Sequence, residues 1–529
     1  MFHSFHRLRS CLFVLMLACG GLATGQIQAQ EPAIDSVLIG FDGKVVLGRW
    51  VPFTVVMNRQ VAATSLQVET LDGDAVPIRF DHDVQITGRG EFGDRNPDHF
   101  AGLIRLGRAS GITIRLLDTT GGEVETRRFS LDELRESHSF LPGTTKLTLF
   151  PLGTPSSSTT KDDVTPEFDR HLSDETATVG RQSLPTHWIG YDSVRTMVIT
   201  HQSREPTQAE REAIGQWVKL GGRLLITGGN SFDDDFNQNV LDDLSPGEFQ
   251  QNVSVADTGS IELFATINEQ LVRADGPALP VTVIRPGPDR RVQGRADEHP
   301  LIVHWSHGFG KVTFVSVDFS SEPMLSWEGR RRLLTLAVED TGVVLSADSS
   351  TAQSGRVSHL GFTDIVGQLR AGMDQFKRVS FVTFTLVALL VGLFILAIGP
   401  GDFFFLRKVT GRMELTWITF TLICLAFCGL AWLLATQMKS SSIEVNQVEI
   451  VDVDTTTNTV RGNLWAHIYS PDTSTFDVRL PGDNRLFGKL NEGWLSWQGL
   501  PGQGLGSMQS RADLGLYRDP VSYTHLTLP

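Results

Sequence analysis

The sequence predicts a multidomain chain of α/β plus β class: an N-terminal β-sandwich, a central α/β domain, a two-helix transmembrane hairpin and an incomplete C-terminal β domain. Three patterns carry this. Residues 379–398 and 415–435 are uncharged apolar runs, each about twenty residues and so long enough to cross a bilayer as helices. Residues 31–140 alternate apolar and polar positions between Asp-Gly and Gly-Gly turn signals, as half-buried strands do. Residues 194–229 place a capped amphipathic helix between two continuously apolar strands, the pattern of a parallel sheet covered on both faces.

At 529 residues and 41% hydrophobic content the chain has material for several packed cores. A net charge of −14 without any basic stripe excludes a nucleic-acid partner, because neutralising phosphates takes clustered Lys and Arg.

Residues 1–29 read as a secretory signal peptide. Arg7 and Arg9 precede a short apolar run from Cys11 to Ala18, and Gly25 and Ala29 are small residues suited to cleavage. The shortness of that run disfavours an uncleaved anchor, and Met16 and Leu17 disfavour lipidation of Cys19, which wants small residues before it. Cys424 and Cys428 fall in the second apolar run, so the exported portion carries no thiol. Its domains have no disulfide framework and must stand on hydrophobic cores.

In the first domain, Val37, Ile39 and Phe41 alternate ahead of Asp42-Gly43. Leu66, Val68 and Thr70 precede Asp72-Gly73, and Val76, Ile78 and Phe80 follow it. Ile104, Ile112 and Ile114 continue the alternation toward Gly121-Gly122. Short strands at regular intervals predict an immunoglobulin-like β-sandwich over residues 31–140.

The α/β domain spans residues 141–345 and opens with a buried strand, KLTLFPL, and a Ser/Thr/Pro-rich loop. Met197, Val198 and Ile199 form a compact strand. Thr207 and Glu210 supply a capping box. Ile214, Trp217 and Val218 recur at helical spacing, and Gly221-Gly222 ends the helix where a left-handed cap favours glycine. Leu224, Leu225 and Ile226 complete a β-α-β unit. Residues 230–300 read as an insertion with extra hairpins around Val253, Val255, Ile261 and Leu263. Residues 301–317 read as two strands joined by a Gly308-Phe309-Gly310 turn. A helix from about Ser326 is expected to bury Trp327, Leu333, Leu334 and Ala337 and to expose Arg330 and Arg331.

Residues 346–378 hold a Ser-rich linker and a segment, 362–376, that forms either an amphipathic helix on the membrane face or ordinary packing against the α/β domain. Gly399-Pro400-Gly401 is expected to end the first span. Residues 399–414, with Arg407, Lys408 and Arg412, form the turn, and Trp417 and Trp432 lie near the two ends of the second span, where interfacial aromatics belong. The flanking Arg370, Lys377, Arg378 and Lys439 leave the charge bias weak, so orientation follows from the signal. Export of the N-terminal region places the turn in the cytoplasm and both flanking domains outside the cytoplasmic membrane. The last domain, residues 440–520, alternates over 445–453, 460–469 and 475–480, and VSYTHLTLP at 521–529 reads as a non-native tail.

YDSVRTMVITHQ, TQAEREAIGQWVKLGGRLLITGG and HGFGKVTFVSVDFSSEPMLSW together resemble class I glutamine amidotransferase-like domains of bacterial membrane-anchored envelope proteins. LAIGPGDFFFLRKVTGRMELTW resembles the segment that joins two membrane helices in the same proteins. The resemblance implies a flavodoxin-like core behind a β-sandwich and sets no activity. A working glutaminase needs a cysteine thiolate on a sharp strand-to-helix turn, oriented by a histidine. Here that turn reads Gly228-Gly229-Asn230-Ser231, which excludes glutamine hydrolysis by that route.

Ligands of such folds bind outside the carboxyl ends of the parallel strands. That nominates His201, Gly228, Gly229, Asn230, Ser231 and Asp318 as the lining of a common crevice. Ser231 with His201 as nucleophile and base lacks a Gly-x-Ser-x-Gly context, and the plainer reading is a Gly-Gly turn with a capping Asn or Ser. Asp233-Asp234-Asp235 lacks the alternating spacing of a calcium loop, and His304 and His307 lack a third zinc ligand. No metal and no cofactor are expected. Trp188, Tyr191 and Asp192 form either a packing corner or a binding lip. The expectation is a catalytically inactive envelope protein serving binding or assembly, with the lipid bilayer and membrane or envelope proteins as partners. An exported hydrolase using Ser231 or Asp318, and an accessory subunit of a membrane transport complex, are the alternatives.

Overall fold

Tyr191 belongs to the core of the α/β unit and stacks on Phe41 from the first strands of the chain, beside the core of the N-terminal unit, to which Ile189 contributes. The structure is a computed structural model, which describes residues 33–57, 63–72, 77–83, 99–143, 145–151, 175–179, 184–200, 203, 205–230, 232–241, 244–272, 276–338, 372–373, 375–376, 384–409, 411, 413–438, 442–471, 474–479, 483–484, 488–489, 511–515 and 523–528. The predicted signal, the 346–358 linker and most of residues 362–376 lie outside these.

The N-terminal unit follows the predicted alternation through β1 (Ile34–Ile39), β2 (Lys44–Val46), β3 (Trp50–Met57), β4 (Ser65–Leu71), β5 (Pro77–Asp83), β6 (His99–Arg105), β7 (Ile112–Leu117) and β8 (Glu123–Phe129). Helix α1 (Leu131–Ser137) and β9 (Ser139–Leu141) close it. Antiparallel sheets β1-β3-β6 and β5-β4-β7-β8 share one core containing Val37, Phe53, Leu66, Val68, Phe80 and Ile114. On β4, Leu66, Val68 and Thr70 point inward and their neighbours outward, the period-2 burial of a sheet with one wet face. The second sheet continues past β5 through Arg511–Gly515, Tyr523–Leu528 and Ser474–Arg479, so most of the segment read as a tail is paired as a strand.

The α/β unit contains β10 (Leu147–Phe150), β11 (Glu175–Thr178), β12 (Val194–Ile199), α2 (Gln208–Lys219), β13 (Arg223–Thr227), β14 (Gly247–Val255), α3 (Gly259–Ala265), β15 (Leu279–Pro286), β16 (Arg291–Ala296), β17 (His299–His307), β18 (Gly310–Val315) and α4 (Arg330–Val338). Its seven-stranded sheet runs β11-β10-β12-β13-β18-β17-β16, with the first five parallel and the last two antiparallel. Met197, Leu224, Ile226 and Phe314 feed a core under α2, while Val198, Leu225 and Val315 feed one under α3 and α4. Burial on both faces is what the continuous apolar runs require. Both halves of the Thr207–Glu210 capping box are present, and Ile214, Trp217 and Val218 are buried, contributing about 1.5–3 kcal/mol each.

Three local expectations are corrected. Ile261 and Leu263 are not strand residues but lie on α3, where Ile261 and Ala265, four apart, face the core and Leu263 is 79% exposed. Arg330 is buried, because at the start of α4 its guanidinium folds back to donate to the Leu325 carbonyl at 3.1 Å. Gly399-Pro400-Gly401 does not end the first span. The helix passes from α5 (Phe384–Leu396) through a widened turn at Ala397–Gly401 into α6 (Asp402–Val409). Pro400 has no N–H, and its ring would strike the carbonyl four residues back in a regular helix. Widening removes that conflict and lets the Asp402 N–H bond to the Ala397 carbonyl instead.

The continuous helix Phe384–Val409 and α7 (Thr416–Met438) are two helices long and apolar enough to cross a membrane. Phe394 and Phe427 meet edge to face at 5.3 Å between them. After α7 comes a two-stranded ribbon of β19 (Glu444–Asp454) and β20 (Thr459–Tyr469).

Candidate functional site

Numbered by position in the chain, the five parallel strands lie in the order 2-1-3-4-5. In such sheets the winding reverses between the first and third strands, and the crevice opens outside their carboxyl ends. Here those are β10 and β12, ending at Phe150 and Ile199. His201 follows at that end and, like Ser231, lies outside the described residues. Gly228 and Gly229 follow β13, and Asp318 follows β18, one and two strands further along the sheet.

The described part of this end is filled by the chain itself. Thr282 of β15 is wholly buried, and its hydroxyl accepts from the Gly229 N–H at 2.8 Å and donates to the Gly229 carbonyl at 3.0 Å. The Thr282 N–H bonds to the Ser316 carbonyl at 2.8 Å. A Cβ on Gly228 would stand 2.7 Å from Thr282 Oγ1 and 2.8 Å from the Ser316 carbonyl, and one on Gly229, whose φ is +102°, would stand 2.7 Å from Asp318 Cβ. The two glycines therefore serve close packing of backbone. Asn252 of β14 pins the same turn by donating to the Asn230 carbonyl at 3.2 Å and the Phe232 carbonyl at 2.9 Å.

The predicted lining is thus brought together only in part. Gly228, Gly229 and Asp318 are adjacent and buried, while Asn230 faces outward. Asp318 Oδ1 accepts from the Ser320 N–H at 2.9 Å and its hydroxyl at 2.6 Å, which shapes the turn after β18. Asp233 accepts from the Phe236 N–H and Asp234 from Gln238, each at 2.8 Å, so those acids start the following helical turn. His304 and His307 are three apart on β17, an odd spacing that sends them to opposite faces. Among the described residues no three metal-ligating side chains gather.

Trp188, Tyr191 and Asp192 resolve as a packing corner between the two units. Tyr191 stacks on Phe41 at 6.2 Å, lies 5.9 Å from Trp217 and donates to the Pro185 carbonyl at 2.9 Å. Asp192 accepts from Arg49 Nη1 and from the Trp50 N–H, both at 3.2 Å. Nearby Arg105 donates to the Gly48 carbonyl at 2.8 Å. Burial pulls its guanidinium below the ordinary value, opposed chiefly by the charge of Asp192 and furthered by Arg49.

At the opposite, amino end of the parallel strands, the ribbon docks. Asn446 donates to the Met373 carbonyl at 2.7 Å, and Phe376 lies 5.5 Å from Tyr469. Farther along the ribbon, Arg461 pairs with Asp452 at 2.8 Å, donates to the Leu220 carbonyl at 2.7 Å and lies over the Phe309 ring at 4.5 Å. Sequence reasoning missed Arg461, whose only local signal is an opposite charge at Asp452 across the ribbon.

No protein-family model matches the chain, and no curated protein matches it. Among solved structures it is similar to cytoplasmic protein STM3548 from Salmonella typhimurium, with 16% identity over 36% of this chain and 96% of the other, at a TM-score of 0.27. Cytoplasmic protein STM1381 from Salmonella typhimurium LT2 gives 15% identity over 37% of this chain and 100% of the other, at a TM-score of 0.27. Likeness at that level carries no argument about fold or function.

Proposed function

We propose that the chain is a non-catalytic envelope protein of the cytoplasmic membrane, which holds an immunoglobulin-like β-sandwich and a flavodoxin-like, amidotransferase-like domain outside the membrane for binding or assembly of a membrane complex. One observation carries this. The ribbon that follows the second apolar helix packs on Leu220 and Phe309 of the unit that precedes the first. Flanks that touch each other lie on one side of a bilayer, so the two helices cross and return.

The 2-1-3-4-5 strand order supports the flavodoxin-like assignment. Thr282 in the Gly228-Gly229 turn favours binding at outer surfaces over chemistry in the crevice. Each ribbon strand has 11 residues, so the ribbon reaches roughly 35 Å and works as a strut between the membrane and the base of the α/β unit.

Protease added to intact spheroplasts should degrade both exported units and the ribbon and spare the Arg407-Lys408 turn. The reverse pattern overturns the orientation. Gentle isolation of the full chain after cross-linking in its own membrane should recover a membrane protein in fixed ratio to it. A chain that always emerges alone overturns the assembly role.

A further inference from the structure

We infer that the turn end of the hairpin binds anionic phospholipid headgroups through Arg407 and Lys408 of α6, an inference that rests on the membrane-hairpin reading. On α6, Asp402 and Leu406 lie four apart, face inward and are 5% and 1% exposed. Every other side chain from Phe403 to Val409 faces out, with Phe404 65%, Phe405 57% and Val409 63% exposed and Arg407 and Lys408 also exposed. The one acid of the helix is folded away, and its outer surface keeps only aromatic, aliphatic and cationic groups. Among the described residues neither Arg407 nor Lys408 has a hydrogen-bond or ion-pair partner.

Depth selects the partner. Phe403, Phe404 and Phe405 have no polar group and are favoured in the hydrocarbon, so the cations one turn further along α6 stand at its edge. Long basic side chains at that depth carry their charge out to the headgroups. Two cations without a partner among the described residues, set beside lipid phosphates, favour an anionic lipid over a zwitterionic one, whose own ammonium group already neutralises its phosphate. Cations in a last helical turn also complement the carbonyl end of the helix by about 0.3–1 kcal/mol, but that role alone gives no lipid selectivity.

The full chain is reconstituted in nanodiscs of phosphatidylcholine with a minor share of phosphatidylglycerol, and the lipids that stay bound on release are counted by native mass spectrometry. About 1 kcal/mol per basic residue corresponds to roughly fivefold enrichment of phosphatidylglycerol per cation. R407Q/K408Q should bring retained lipid down to the bulk ratio, and R407K/K408R should keep the enrichment. Equal enrichment in wild type and R407Q/K408Q, or none in either, overturns the proposal. Alkaline carbonate extraction of membranes carrying the same proteins separates the two readings. Release of wild type overturns the hairpin and this site together, whereas retention without enrichment overturns the site alone.

Discussion

Arg461 and Leu220 stand on opposite flanks of the membrane hairpin in sequence, yet Arg461 Nη1 lies 2.7 Å from the Leu220 carbonyl. The last carbonyls of a helix have no partner within it, and Leu220 is the C-cap of α2. Gly221, at φ +125°, leaves room for the approach, since a Cβ there would stand 2.9 Å from Arg461 Nη1. A strand that follows the two apolar helices in sequence thus completes a helix that precedes them.

Replacing Arg461 tests that coupling. A hydrogen bond from a charged donor contributes about 1.5–3 kcal/mol, and a partly exposed cation over a ring about 0.5–1 kcal/mol. Arg461 is 38% exposed, so Arg461→Ala is expected to cost about 1–3 kcal/mol locally. Hydrogen exchange should quicken at residues 217–222 and 307–310 while the N-terminal unit stays protected. Arg461→Lys keeps the charge without the planar fork and should fall between. Unchanged exchange in Arg461→Ala would mean that the ribbon does not brace the domain.

Asp192 couples the N-terminal unit to the α/β unit. It holds Arg49 and the Trp50 N–H at once and is the leading charge offsetting the burial of Arg105. Asp192→Ala therefore strands a largely desolvated cation as well as breaking two bonds, which is expected to cost about 3 kcal/mol. Calorimetry of the solubilised chain should show the β unit and the α/β unit melting further apart. Coincident transitions at the wild-type temperature would contradict this.

His82 makes the N-terminal unit acid-sensitive. It is buried against Phe53, with ring centroids 5.1 Å apart, and burial pushes its pKa from 6.5 down to about 3. As pH falls the unfolded chain takes the proton first, so the stabilisation is complete above 6.5 and is lost progressively toward 3. The slope is about 1.4 kcal/mol per pH unit for one proton. His138, which accepts from the Ile39 N–H at 2.9 Å, is shifted the same way by its burial. His82→Leu should flatten the pH dependence of the β unit's unfolding between pH 6 and 4, and an unchanged slope would place the proton uptake elsewhere.

What could be read in the sequence was local. The Thr207–Glu210 box and the inward row Leu66, Val68, Thr70 are set by neighbours within a few residues, and both stand in the structure. Ile261 misled because a short apolar piece satisfies both strand and helix periods, and its helical partner Ala265 is too small to announce itself. Pro400 misled because the breaker rule assumes a regular helix and the chain widened the turn instead. Thr282 was invisible as part of the candidate site. It is an ordinary strand residue 53 positions from Gly229, and nothing near it in sequence marks the turn it fills.

Thr282 also bears on what the turn after β13 is for. Thr282→Val keeps the shape and removes the hydroxyl, leaving the Gly229 N–H and carbonyl buried without it. The Gly229 carbonyl still accepts from the Phe232 N–H at 3.1 Å, so the one stranded N–H is expected to cost about 1–3 kcal/mol. Thr282→Ser retains the oxygen and gives up one methyl, a loss of about 1 kcal/mol. Gly229→Ala should be as damaging as the valine change, since it adds a Cβ 2.7 Å from Asp318 Cβ at a φ of +102°, a backbone strain of about 1–3 kcal/mol. Denaturant unfolding of the solubilised chain ranks the three. The order expected is serine mildest, valine and Gly229→Ala severe, because the hydroxyl is a structural plug. Were Thr282→Val as stable as wild type, the turn would not depend on the plug, and the space beside Gly229 would have to be reconsidered as a place kept for a ligand.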